Sequence, residues 1–292
     1  MILEDIKHIL ILGAGTMGQQ IGFWFAGKGY DVTIYDISDD SLVNARSRME
    51  TLSKKLVTFN RMDQKSASEA FSRISFTTDA QKAAENADLI NESVPEKPEL
   101  KGKIFNQFHQ LCKPETIFTT NTSTLMPSMF AKATGRPDKF CAFHFHDILL
   151  TSVVDIMPHP GTSPETTELV KQFAEKTELI PIVLKKENTG YVFNFMLSGL
   201  LSAALTLAQK EVAPISEVDQ AWIGVMHTHA GPFAIMDSIG LDTVHSVTDY
   251  WAQKTKDKQS LANAEFLKTY IDAGKKGIKT GEGFYTYGQS MD

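Results

Sequence analysis

The sequence predicts an α/β fold: a mostly parallel sheet with helices between its strands, followed by an all-helical domain. Three observations predict it. Short apolar runs alternate with helical patterns as far as Val183, a glycine-rich turn joins the first run to a helix, and no strong strand run follows Leu184. The first run, Ile9-Leu10-Ile11-Leu12, leads into Gly13-Ala14-Gly15-Thr16-Met17-Gly18, a helical pattern, and Val32-Thr33-Ile34-Tyr35-Asp36. Leu42, Ala45, Met49, Leu52 and Leu56 then recur at helical spacing within residues 41–60, and a helix at about residues 64–71 completes an arm with it. Strand signals return at residues 74–76, 88–91 and 116–119, separated by helical stretches at 79–85 and 98–111. Further strands fall at 139–143, 153–156 and 180–183, around a helix capped near Ser163-Pro164. From Tyr191 to about Ala208 the chain is almost wholly apolar and helical, and the amphipathic segments after it are broken at Gly231-Pro232 and Gly240. Such a helix must be buried, within its own domain or against another subunit. The domains are therefore drawn at residues 1–186 and 187–292, with an ordered tail at Gly281-Glu282-Gly283-Phe284-Tyr285.

Bulk composition excludes several classes. At 292 residues and 42% hydrophobic content the chain can bury two cores. A net charge of −6, from 29 basic and 35 acidic residues without a basic stripe, argues against nucleic-acid and membrane-surface partners. Two cysteines, Cys112 and Cys141, cannot alone build a disulfide framework or a metal site, which suits a reducing cytoplasm. The start, Met1-Ile2-Leu3-Glu4-Asp5, has no basic segment before an apolar core, so no signal peptide is read, and no apolar stretch is long enough to span a membrane.

The glycine turn carries the first functional inference. Gly13 allows a tight turn off a strand, Gly15 lets backbone approach a pyrophosphate, Gly18 permits close packing of helix on strand, and the phosphates meet the helix N-terminus at Thr16 and Met17. The strand before it, the helix after it and the acidic Asp36 together make a Rossmann-type dinucleotide-binding unit. A carboxylate at Asp36 accepts from ribose hydroxyls and repels a phosphate, so NAD is favoured over NADP.

Several separated segments resemble one family, the 3-hydroxyacyl-CoA dehydrogenases. They are Asn121-Thr122-Ser123-Thr124-Leu125, Phe140-Cys141-Ala142-Phe143-His144-Phe145, Thr189-Gly190-Tyr191-Val192-Phe193-Asn194, Gly231-Pro232-Phe233 with Gly240-Leu241-Asp242, and Lys279-Thr280-Gly281-Glu282-Gly283-Phe284-Tyr285. With the glycine turn, the resemblance covers nearly the whole chain. It implies NAD-dependent oxidation of an L-3-hydroxyacyl-CoA, a small-molecule partner, and a homodimer through the helical domain, where Trp222, Ile223 and Met226 add apolar surface.

Oxidation of an alcohol requires a base for the hydroxyl proton. His144 ends an apolar strand pattern that delivers it to the carboxyl edge of the sheet, and its imidazole trades protons near neutrality. The resemblance selects His144; His146, His159, His227 and His229 are read as structural. It also implies Asp155 as the acid that orients the ring, in place of a family glutamate, and Ser123 and Asn194 as the polar groups on the substrate oxygen. Glu96, Lys101, Ser123 and Lys279 match residues near the cofactor, and Asp147 stands where the family has an asparagine. Without the resemblance, Glu96, Lys101 and Lys279 read as surface charges. CoA would lie against residues 47–60, with Lys54 or Lys55 facing its phosphates.

The chain departs from the family around the substrate. It reads Phe145-His146-Asp147-Ile148 where the family has Phe-Phe-Asn-Pro, it lacks a proline between Thr189 and Gly190, and Phe195 replaces a frequent arginine. Two alternatives stay open: a free β-keto ester, diketo compound or sugar acid as substrate, and a non-catalytic, crystallin-like NAD-binding protein.

Overall fold

The computed structural model describes residues 1–288, and the chain divides into two compact units, Met1–Val192 and Phe193–Asp292. In the first unit the strands are β1 (His8–Leu12), β2 (Asp31–Tyr35), β3 (Ile74–Thr77), β4 (Leu89–Glu92), β5 (Ile117–Thr120), β6 (Phe140–Phe145), β7 (Val153–Pro158) and β8 (Ile180–Val183). They form one eight-stranded sheet in the order β3-β2-β1-β4-β5-β6-β7-β8. Every neighbouring pair is parallel except β6 with β7. That exception follows from chain length, because a parallel crossover needs about a dozen residues or more and the link from His146 to Ser152 is shorter.

The helices of this unit are α1 (Thr16–Gly27), α2 (Asp39–Thr58), α3 (Gln64–Ala70), α4 (Ala80–Ala84), α5 (Pro98–Leu111) and α6 (Pro164–Lys176). Central strands buried on both faces read as continuous apolar runs, and β1 shows how the pleat divides them. Ile9 and Ile11 join Phe23, Trp24 and Phe25 of α1 and Val170 and Phe173 of α6, whereas Leu10 and Leu12 join Ala84 of α4 and Phe105 and Phe108 of α5. Leu42, Ala45, Met49, Leu52 and Leu56 of α2 belong to the first of these cores. The α2–α3 pair expected as an arm is packed on α1.

The chain runs outward from β1 to β3 and then returns to lay β4 on the other side of β1. Such a reversal opens a crevice at the carboxyl ends of the strands, the usual ligand position in an open α/β sheet. The units divide after Val192, later than Lys186, because residues beyond Lys186 are tied to the sheet: Tyr191 Oη donates to the Thr122 carbonyl at 2.6 Å, and Asn188 N contacts Met157 Sδ at 3.2 Å.

The second unit contains α7 (Phe193–Gln209), α8 (Ile215–Met226), α9 (Pro232–Ile239), α10 (Leu241–Thr255) and α11 (Lys258–Asp272). Leu201, Leu205, Phe233, Met236, Leu241 and Leu267 form its core. Asp237 pins the C-terminal segment by accepting from the Phe284 and Tyr285 backbone at 2.9 and 3.0 Å. The expectation of all-round burial for the apolar helix is not met within the chain. Only Leu201, Ala204 and Leu205 of α7 are buried, and Phe195 and Met196 are each 61% exposed. Among the described residues, no helix is long and apolar enough to cross a membrane.

Candidate active site

The glycine turn follows β1 at the crevice. Gly13 has φ +105°, and a Cβ there would stand 2.8 Å from the Ser93 carbonyl oxygen. At Gly18 a Cβ would stand 1.9 Å from the Gly13 carbonyl oxygen, so α1 lies this close to the turn only because the residue is glycine. Gly15 differs, since an added Cβ meets no protein atom within 4 Å. The space it leaves open is therefore set by something other than the protein's own packing. α1 begins there with no side-chain cap and no acidic residue in its first turn, leaving N–H groups and the positive dipole end at Thr16 and Met17 to an anion. Asp36 ties this turn to the end of β2, accepting from Ala14 N at 2.9 Å and Ser38 N at 3.1 Å. Open backbone beside a helix N-terminus, with a carboxylate flanking it, fits the pyrophosphate and ribose of NAD.

A second group of side chains stands on the antiparallel hairpin. β6 and β7 place His144 directly opposite Asp155, and His146, the first residue beyond β6, brings its ring to the same carboxylate. His144 Nδ1 and His146 Nε2 each lie 3.1 Å from Asp155 Oδ2. The two rings meet edge to face at 4.7 Å, and Tyr191 stacks on His144 at 4.7 Å and 12°. Burial pushes the His144 imidazole below its ordinary value, against the opposing bond from Asp155. Burial also works to raise Asp155, but the bonds from both imidazoles hold it below the usual carboxylate range. Two imidazoles and a carboxylate with donor atoms within 4.8 Å are of the types that bind a transition ion. Here these atoms meet one another at hydrogen-bond distances, so the cluster is read as a hydrogen-bond node.

A third group holds the turn after β5. Glu96 Oε1 accepts from the Thr122 hydroxyl, from Ser123 N at 3.1 Å, and from Thr124 N and Oγ1 at 3.2 and 2.9 Å. Burial opposes its charge, but the Lys101 ammonium and the Thr122 and Thr124 hydroxyls hold its carboxyl below the ordinary value. Lys101 is not the surface charge that its helical position suggests, being 1% exposed. Its Nζ lies 2.7 Å from Glu92 Oε1, 3.2 Å from Glu96 Oε2 and 3.1 Å from the Val94 carbonyl. Burial pushes Glu92 above its ordinary range despite that ammonium. Ser123 is half-buried, and its hydroxyl takes no partner among the described residues.

Residues 8–188 match the 3-hydroxyacyl-CoA dehydrogenase NAD-binding domain, and residues 190–287 match the C-terminal domain of the same family. The chain belongs to the 3-hydroxyacyl-CoA dehydrogenase family. Membership makes it an NAD-dependent oxidoreductase. It is 29% identical to the mitochondrial hydroxyacyl-coenzyme A dehydrogenase of Rattus norvegicus, over 97% of this chain and 91% of that protein. Among solved structures, a diketoreductase described as acting on dicarbonyl compounds is 37% identical with a TM-score of 0.89, covering 97% of this chain and 99% of that one. The (S)-3-hydroxybutyryl-CoA dehydrogenase of Ralstonia eutropha is 27% identical with a TM-score of 0.87, covering 97% and 100%.

The residues assigned by family resemblance fall unevenly. His144, Asp155, Ser123, Glu96 and Lys101 stand at the carboxyl edge of one sheet with the glycine turn. Asp147 is exposed and accepts from Leu149 N at 3.0 Å, shaping the β6–β7 turn. In the helical unit, Asn194 lies in the first turn of α7, and Lys279 is ion-paired with Asp242. Two residues at the site escape a reading from sequence. Tyr191 holds a left-handed backbone at φ +55°, which no residue pattern announces, and His146, one residue beyond β6, finds its partner only through the register that sets Asp155 opposite His144.

Proposed function

We propose that the protein interconverts an L-3-hydroxyacyl-CoA and its 3-ketoacyl-CoA with NAD. The observation that carries this is the His144–Asp155 pair on the sheet edge that also bears the dinucleotide turn. NAD, when bound, supplies the hydride acceptor, and its reduced form the donor. Gly13, Gly15, Thr16, Met17 and Gly18 present backbone to the pyrophosphate, and Asp36 receives the ribose hydroxyls. Glu96, Lys101, Asp147 and Lys279 are read as further cofactor contacts from the sequence resemblance alone, and Glu96, paired with Lys101, also holds the turn that carries Ser123.

His144 takes the hydroxyl proton at Nε2, because Nδ1 is committed to Asp155 Oδ2. Burial lowers its proton affinity, so at neutral pH the ring is unprotonated and ready to accept. Asp155 fixes the ring and balances the imidazolium charge that forms. Ser123 positions the substrate oxygen, and Asn194 is read as a second polar group for it from the sequence resemblance alone. Purified protein should consume NADH with acetoacetyl-CoA, and His144→Ala should lose most of that rate; equal turnover by the variant would overturn the assignment.

A second reading keeps the chemistry and changes the substrate to a free dicarbonyl compound. It is favoured by the 37% identity to a diketoreductase and by the altered residues His146 and Asp147. Comparing kcat/KM for acetoacetyl-CoA, ethyl acetoacetate and gulonate separates the two, and tight NADH binding without turnover would instead indicate the non-catalytic role. A homodimer through the helical unit is supported by the exposure of Phe195, Met196, Val225 and Met226, and light scattering tests it. Two buried free cysteines support a cytoplasmic setting.

A further inference from the structure

The residue after Phe145 is one place where this chain abandons the family's apolar pattern, and the structure gives His146 a specific neighbour. Its Nε2 and the Nδ1 of His144 lie at the same 3.1 Å from the same oxygen of Asp155. Asp155 itself is 1% exposed, so water does not compete freely for that oxygen. Cross-strand pairing explains how a carboxylate one methylene shorter than the family's glutamate still reaches His144, since the two residues are directly opposed. Pairing does not fix the carboxylate plane, because the last torsion of an aspartate is broad. A single bond to His144 would leave that plane free to swing. A second donor, arriving from a ring set edge-on to His144 at 75°, removes the freedom.

We propose that His146 is a positioning residue for the proton-accepting pair, its Nε2–H fixing the Asp155 carboxylate so that Oδ2 holds His144 with Nε2 free. The phenyl ring usual in the family could fill the same space but supplies no donor. The inference rests on His144 being the base, and it predicts an interaction that vanishes when the carboxylate is removed.

The test compares wild type with His146→Phe, His146→Gln, Asp155→Ala and the Asp155→Ala/His146→Phe double variant. Turnover of NADH with acetoacetyl-CoA or ethyl acetoacetate, NADH affinity by fluorescence, and Tm are measured for each. His146→Phe should lower kcat by about 10–100-fold, the scale for losing a partner that orients a working histidine, with KM and NADH affinity within about twofold. His146→Gln, whose side-chain amide restores a donor, should recover most of that loss. In the Asp155→Ala background the Phe substitution should cost less than about threefold, because His146 then has nothing to position. An unchanged kcat in His146→Phe, no recovery in His146→Gln, or an equal cost in both backgrounds overturns the proposal. Should His146→Phe fail to fold, His146→Asn, too short to reach Oδ2, takes its place in the same cycle. His144→Asn separates the two levels: if it retains the wild-type rate the base assignment fails, whereas if it is inactive and His146→Phe is not impaired, only the role of His146 fails.

Discussion

At the ends of β1 and β2 the working groups are backbone N–H donors and the missing side chains of Gly13, Gly15 and Gly18, with Asp36 holding the turn. At the ends of β6 and β7 they are the side chains of His144, His146 and Asp155, converging on one oxygen. At Gly13 and Gly18 the first region cannot take a side chain without moving the chain, since a Cβ there would stand 2.8 Å from the Ser93 carbonyl oxygen and 1.9 Å from the Gly13 carbonyl oxygen. The second can be exchanged side chain by side chain on an unchanged pair of strands. Departures from the family at His146, Asp147 and Asp155 fall in this second region, while the dinucleotide turn keeps its pattern.

If the two regions are separable, the largest effect should come from His144→Asn. It should lower kcat by about 10²–10⁴-fold, the usual range for removing a general base, and leave NADH affinity within about twofold. A variant that also loses NADH would break the division. Lys101→Met probes the ground between the regions, because it strands Glu92, which is fully buried, without its counter-charge. A loss of about 3–5 kcal/mol in stability by denaturant titration is expected, and a smaller one would show that Glu92 is carried neutral.

Two glycine substitutions sharpen the contrast inside the dinucleotide turn. Gly18→Ala should destabilise the fold by about 1–3 kcal/mol through overpacking, seen as a lower Tm. Gly15→Ala, which meets no protein atom within 4 Å, should leave Tm unchanged while weakening NADH binding. A fall in Tm for Gly15→Ala would show that the open space belongs to the protein after all.

The smallest effect is on pH dependence. Burial lowers the folded-state affinity of His144 for its proton, so the unfolded chain binds more protons at this group below pH 6.5. Its contribution to stability is thus complete above pH 6.5 and is lost as pH falls from there toward the lower folded value. Tm should fall across that window and fall less in His144→Phe. The acid limb of the oxidation rate should have its midpoint below 6.5 for the same reason.

The sheet was legible because its central strands, buried on both faces, leave apolar runs, and all eight expected strands occur. The dinucleotide turn was legible because its chemistry requires glycine at fixed spacing. What could not be read depends on neighbours distant in sequence. The apolar face of α7 says that a helix wants cover but not what covers it. Lys101 looks exposed until β4 brings Glu92 beside it, and the role of His146 waits on the register that sets Asp155 opposite His144. Tyr191 was hidden for a different reason, because a left-handed backbone at a tyrosine is imposed by its surroundings and leaves no mark in composition.

His144 and Asp155 are separated by 11 positions and joined by a hairpin. The dinucleotide crevice instead waits for β4 to pair with β1, a contact that links Asp88 to His8 across 80 positions. Closing a short loop takes less chain entropy than closing a long one, so the hairpin can form early and independently while the crevice depends on nearly the whole sheet. The hairpin is thereby a portable cassette: a proton-handling pair that arrives already assembled, and that a lineage can revise without disturbing how the rest of the domain folds.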